Sequence, residues 1–137
     1  MKKSESLQVL PEKILDALLS ADHETYRNFI SPKDGTLMIG SSPEEWVEGY
    51  PQIVKQLKMI TDGFQGLEVA EVKTSAYEEG TVGWTATQFK LQLPNGTGVP
   101  FRLTAIFVRE EDGWKFVQWH DSIGVPDEMM MAGGSGE

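Results

Sequence analysis

The chain has 137 residues, with 21 acidic against 12 basic side chains and a formal net charge of −9. That length makes one domain with one core, and the charge repels phosphate backbones and anionic membranes, because the cations are scattered and only Lys2-Lys3 stand side by side. Cysteine is absent, which removes disulfides, thiolate metal sites and cysteine nucleophiles, and no apolar run approaches the roughly 20 residues of a membrane span. The composition therefore predicts no nucleic-acid partner and no membrane partner. With no signal-peptide core after Met1, the cytoplasm is the expected setting.

Pro11 suits the first turn of a helix, and Ile14, Leu15, Leu18 and Leu19 follow at spacings that make one apolar face. Asp22 can cap a second short helix whose Tyr26, Phe29 and Ile30 face inward. Turn residues Ser31 to Gly35 end this opening, and Thr36 to Ile39 read as a short strand. Ser42-Pro43-Glu44-Glu45 predicts a brief helix through Val47, with Glu45 bonding back to the cap and Gly49 ending it. Pro51 starts a longer helix, on which Ile53, Leu57, Ile60 and Phe64 form a stripe that needs a sheet to cover.

From Leu67 the period changes. Four apolar-rich stretches, Leu67 to Tyr77, Thr81 to Leu93, Val99 to Arg109 and Trp114 to Val125, are separated by Glu79-Gly80, Pro94-Asn95-Gly96 and Asp112-Gly113. Such short separators make antiparallel hairpins, so helices followed by a meander predict an α+β fold. Strands this long twist and curve, and helices on the concave face of a curved sheet enclose a cavity. The expected organisation is a single domain over residues 1–128, with an unstructured tail over residues 129–137 that lacks periodicity.

The segment Ile39 to Ile53, the last strand Trp114 to Pro126, Gly83-Trp84 and Arg102-Leu103-Thr104 together resemble the SnoaL-like branch of the nuclear-transport-factor-2-like superfamily, in a mostly uncharacterised subgroup. The resemblance covers about residues 8 to 127. It implies a cone-shaped, cystatin-like fold: a curved antiparallel sheet with the N-terminal helices on its concave face. It places the site in the cavity between helices and sheet, with the opposite sheet face often forming a homodimer interface. The superfamily hosts isomerases, cyclases, dehydratases, binders and silent assembly modules, so the fold says where to look and not what happens there.

Neighbours on a strand point to opposite faces, so His120 and Asp121 cannot share a cavity unless a bulge intervenes. In one phase His120 joins Phe116, Gln118 and Ser122; in the other Asp121 joins Val117, Trp119 and Ile123. The first gathers more polar residues and is the one favoured here, with His120 as acid or base and Ser122 as a donor. The plainer reading of His120 is a hydrogen-bonded core histidine. By resemblance to SnoaL-like polyketide cyclases, which place an acid/base aspartate late in the sheet after an aromatic-histidine pair, Asp121 is the second catalytic candidate. The order here is Trp119-His120, reversed from the cyclases. Ketosteroid isomerases of the same superfamily need a carboxylate near the first strand, and Leu37 to Gly40 has none.

Arg102 alternates with Thr104 in mid-strand, and a buried arginine needs an anion: either a substrate carboxylate or enolate, or a structural partner such as Glu45 or Glu48. Trp46, Tyr50 and Trp84 can line an apolar pocket or simply fill the core. His23 and His120 are far apart and no metal-ligand spacing or nucleotide loop is present, so no metal and no cofactor is expected. The resulting expectation is a pocket of Trp46, Tyr50, Trp84, Arg102, Thr104, His120 and Ser122 that takes a small, mainly apolar organic molecule, anionic or enolisable. Any chemistry would be cofactor-free isomerisation, cyclisation or dehydration; the alternative is a binding or dimerisation module without turnover.

Overall fold

Four long strands carry the molecule: β4 (Glu68–Glu79), β5 (Val82–Gln92), β6 (Gly98–Glu110) and β7 (Gly113–Ile123), joined by tight turns where the sequence has its glycine signals. In the computed structural model, which describes residues 1–64 and 66–135, the other elements are β1 (Lys2–Lys3), α1 (Glu5–Gln8), α2 (Leu10–Leu19), α3 (His23–Arg27), β2 (Leu37–Ile39), β3 (Trp46–Glu48), α4 (Tyr50–Gly63) and α5 (Asp127–Ser135). They build one sheet in the order β1-β4-β5-β6-β7-β2-β3, antiparallel throughout except where β2 lies parallel to β7. None of the described helices is long and apolar enough to cross a membrane.

Alternation decides the two faces. On β5 the inward residues are Gly83, Thr85, Thr87, Phe89 and Leu91, and on β6 they are Leu103, Ala105 and Phe107; all are buried. The helices cover this face with Leu10, Ile14, Leu15 and Leu18 of α2 and Ile53 and Leu57 of α4. Each such side chain removed from water contributes about 1.5–3 kcal/mol. Bulges bend the sheet into the cone: on β4 the register shifts between Ala70 and Lys73, where Glu71 takes a φ of 54°.

The bulge on β7 matters most. Ile106 faces Gln118 and the next residue, Phe107, faces Phe116, so Val117 is left over. Phe116 and Trp119 therefore both point into the core, with rings 5.1 Å apart, although they are three residues apart on a strand. Beyond the bulge Trp119 and Asp121 face inward, while Gln118, His120 and Ser122 face out. The loop after α3 is tied to this strand, as Phe116 N–H donates to Phe29 O at 2.7 Å and Ser31 N–H donates to Phe116 O at 2.9 Å.

Three local readings of the sequence are corrected. Ser42 to Val47 form no helix: the return bond does close, with Ser42 N–H donating to Glu45 Oε1 at 2.9 Å, but Glu45 N–H donates to the Ser42 backbone O at 2.9 Å and the Ser42 hydroxyl donates to Glu44 instead of capping. The chain then pairs instead of winding, with Ile39 opposite Trp46 and Met38 opposite Val47, because β2 offers an open edge. Gly49, at φ +88°, starts α4 rather than ending a helix, and Tyr50 is the first residue of α4. Finally, Asp127–Ser135 is helix α5, favoured by Asp127 and Glu128 in its first turn, where the sequence reading assigns no regular structure from Met129. Gly136 and Glu137 of that tail lie outside the described residues.

α1 lies over Gly83 of β5 so closely that an added Cβ would stand 2.1 Å from Leu7 Cδ1 and 3.1 Å from Tyr77 O. Leu7 is fully buried and has no room to retreat. Gly83→Ala is expected to lower unfolding free energy by about 1–3 kcal/mol, read from the urea midpoint; a change within experimental error would mean that α1 is not packed there.

Candidate functional site

Between α2, α4 and the inner sheet face lies a cavity of about 120 Å³. Its apolar wall includes Leu15, Leu18, Leu57, Phe89, Phe101 and Trp119, with Phe89 and Phe101 stacked at 5.4 Å between ring centroids. Two carboxylates break the apolar lining: Asp121 from β7 and Glu45 from the turn before β3. Thr61 of α4 supplies a hydroxyl, although it donates to Lys58 O at 2.9 Å.

Asp121 sits opposite Leu103, one residue past the point where Ile39 of β2 faces His120. Burial against these neighbours pushes its carboxyl from an ordinary 3.8 up to about 6, and the nearby Glu45 charge adds to the rise. The Trp119 side chain and the Ser41 backbone N–H pull the other way, because donors favour the ionised form. Glu45 is held in place by its bond from Ser42 N–H and by packing across Gly40, where a Cβ would meet the Glu45 side chain at 2.7 Å. A carboxyl that changes charge close to neutral pH, facing an apolar hole, is equipped to accept and return a proton.

The other residues singled out from the sequence do not gather here. His120 and Ser122 point to the outer face, opposite Thr104 and Arg102, and all but the partly buried Ser122 are exposed. Trp84 also lies on the outer face, paired with Tyr77 on one side and Ile106 on the other. Trp46 is 61% exposed on the edge strand β3, and Tyr50 packs partly buried at the start of α4. The favoured phase of β7 is thus reversed by its bulge, and Asp121 alone of the proposed residues lines the cavity. Arg102 has no ion pair among the described residues, and Glu45, offered as its partner, stands on the opposite face.

Sequence reasoning missed Glu45, Phe89 and Phe101. The two phenylalanines had a signal in the strict alternation of β5 and its register with β6. Glu45 had none, since its position depends on a hairpin that local propensity argues against.

The model of the SnoaL-like domain family matches residues 9–126. Among solved structures the chain is similar to an uncharacterised protein with a cystatin-like fold from Caulobacter vibrioides, at 19% identity over 91% of this chain and 92% of that one, with a TM-score of 0.74. It is also similar to a protein from Streptomyces avermitilis provisionally described as a dehydratase of the NTF2-like family, at 16% identity over 89% and 98% of the two chains, with a TM-score of 0.68. An NTF2-like protein of unknown function from Pseudomonas putida aligns at 12% identity over 93% of each chain, with a TM-score of 0.70. At these identities the likeness shows the fold alone. No curated protein matches the chain.

The environment of Asp121 has a measurable consequence. A carboxyl whose pKa rises on folding binds more protons folded than unfolded between 3.8 and about 6, so stability falls as pH climbs through that window and stays lower above it. Asp121→Asn removes the buried charge, so the variant should be more stable than the native protein by about 1–3 kcal/mol at pH 7.5, with the gap closing by about pH 4. Urea unfolding at both pH values reads this, and a gap independent of pH would show that the carboxyl is not desolvated.

Proposed function

The chain belongs to the SnoaL-like domain family, and from that premise and the cavity around Asp121 we propose that it binds a small, mainly apolar carbonyl compound and moves a proton on it. The carrying observation is one carboxyl, raised to about 6, facing an apolar cavity. A space of this volume suits a ring of about the size of benzene. In its ionised form Asp121 takes a proton from the carbon next to the carbonyl, leaving an enolate, and in its protonated form returns it at the same or a conjugated carbon. Isomerisation and dehydration share this first step, and a side chain is sufficient to perform it. Trp119 orients the carboxylate. Burial, with the charge of Glu45 in the same cavity adding to it, keeps Asp121 from being a permanent anion.

Cyclohexanone in deuterated water tests this directly. The native protein should speed exchange of the α-hydrogens, followed by proton NMR, and Asp121→Asn should lose about 10²–10⁴-fold of that acceleration. Exchange no faster than in buffer, or equal in the variant, would overturn the proton-transfer reading.

A second reading, an assembly module without turnover, is supported by the outer sheet face. There Val82 and Ile106, 39% and 38% exposed, stand beside Trp84 and Tyr77. In this reading the protein is a cytoplasmic homodimer joined through that apolar patch. Ile106→Asp should convert dimer to monomer in sedimentation velocity without loss of helix signal; a native protein that already sediments as a monomer removes the reading.

A further inference from the structure

On the outer face, beside the apolar patch, lies a cleft of about 470 Å³ that has no place in the reading above. Register explains why it exists. Ser75, Ala86 and Thr104 lie opposite one another across β4, β5 and β6 and lead to His120 on β7. This row of small side chains is flanked by the taller Tyr77-Trp84-Ile106 row on one side and the Lys73-Gln88-Arg102 row on the other. The result is a trough floored by small side chains.

The chemistry of that trough is unlike the rest of the chain. In a protein of net charge −9, it collects Lys73, Arg102 and His120 together with the hydroxyls of Ser75, Thr104 and Ser122, and among the described residues no carboxylate lines it. Among the described residues, none of these six side chains makes an ion pair or a side-chain hydrogen bond within the molecule. Glu71, in the adjoining groove beyond Arg102, is occupied by Lys90 at 3.3 Å. Strand spacing puts the Lys73 and Arg102 backbones about 10 Å apart along one flank, and Arg102 and His120 are diagonal neighbours at about 7–8 Å, so Arg102 and His120 can close on one group while Lys73 reaches a second. Lys73 and Arg102, two cations on one flank with no ion pair among the described residues, repel one another, and oxyanions bound beside them relieve that repulsion.

We propose that this trough is a binding site for a small molecule bearing two or more oxyanion groups. The Arg102 guanidinium grips one group through two parallel N–H bonds, His120 and the hydroxyls of Thr104 and Ser122 donate to the same group, and Lys73 neutralises the second. The site is separate from the Asp121 cavity, on the other face of the sheet, and stands whether or not that cavity carries turnover.

Calorimetric titration with pyrophosphate and, separately, with citrate tests it. Binding of pyrophosphate alone identifies a phosphoryl ligand, of citrate alone a polycarboxylate, and of both a general oxyanion site; each supports the proposal. Arg102→Gln should weaken the bound anion about tenfold or more and Lys73→Ala several-fold, whereas Arg27→Ala, a cation removed from the exposed side of α3, should leave affinity within about twofold. All three positions are exposed, so the variants should fold. The proposal is overturned if neither anion binds at about 10 mM, if Arg102→Gln and Lys73→Ala bind like the native protein, or if Arg27→Ala weakens binding as much as they do.

Discussion

The single extra residue in β7 is the constraint on which the rest of this structure depends. With Val117 left unpaired, Phe116 and Trp119 both reach the core, and everything after them is out of phase with what came before. Without the bulge, strict alternation from Phe116 would send His120 and Ser122 inward and turn Trp119 and Asp121 out to solvent. The apolar payload of Trp119 makes that arrangement costly, since a large aromatic would be exchanged for an imidazole. Core packing chose the register, and the polar residues followed.

That choice separates two chemistries by the thickness of one sheet. On the concave side a lone aspartate is forced to live among aromatic and aliphatic side chains, with a second carboxylate close enough to raise its proton affinity further. A group in that position destabilises the fold above its pKa, and such a cost at a cavity wall is characteristic of sites where a protein uses a proton. On the convex side cations and hydroxyls that have no side-chain partner among the described residues are arranged around a floor of small residues. The same β6 strand serves both: Leu103 and Ala105 pack inward while Arg102 and Thr104 face the trough.

The far end of the sheet is held differently. Arg109 donates to Glu78 Oε1 at 2.8 Å and lies 4.4 Å from the Trp114 ring centroid, while Trp114 Nε1 donates to Ser6 Oγ at 3.1 Å. These contacts, with the close approach at Gly83, fasten α1 to the meander. The cavity lies elsewhere, under α2, α4 and the Glu45 turn.

Much of this was legible in the sequence. The helix-then-meander order, the four long strands to within a few residues, the turns at Gly80, Gly96 and Gly113, and the apolar stripes of α2 and α4 follow from periodicity and turn chemistry, which are local properties. Strand alternation and side-chain chemistry likewise singled out His120, whereas Asp121 came from the resemblance to SnoaL-like polyketide cyclases. Three things were settled only by tertiary structure: the face each of them occupies, the turn of Ser42 to Glu45 into a hairpin instead of a helix, and the meeting of Glu45 with Asp121. A bulge, a borrowed strand edge and a contact between residues 76 positions apart are decided by packing across the sheet, and no local spacing records them.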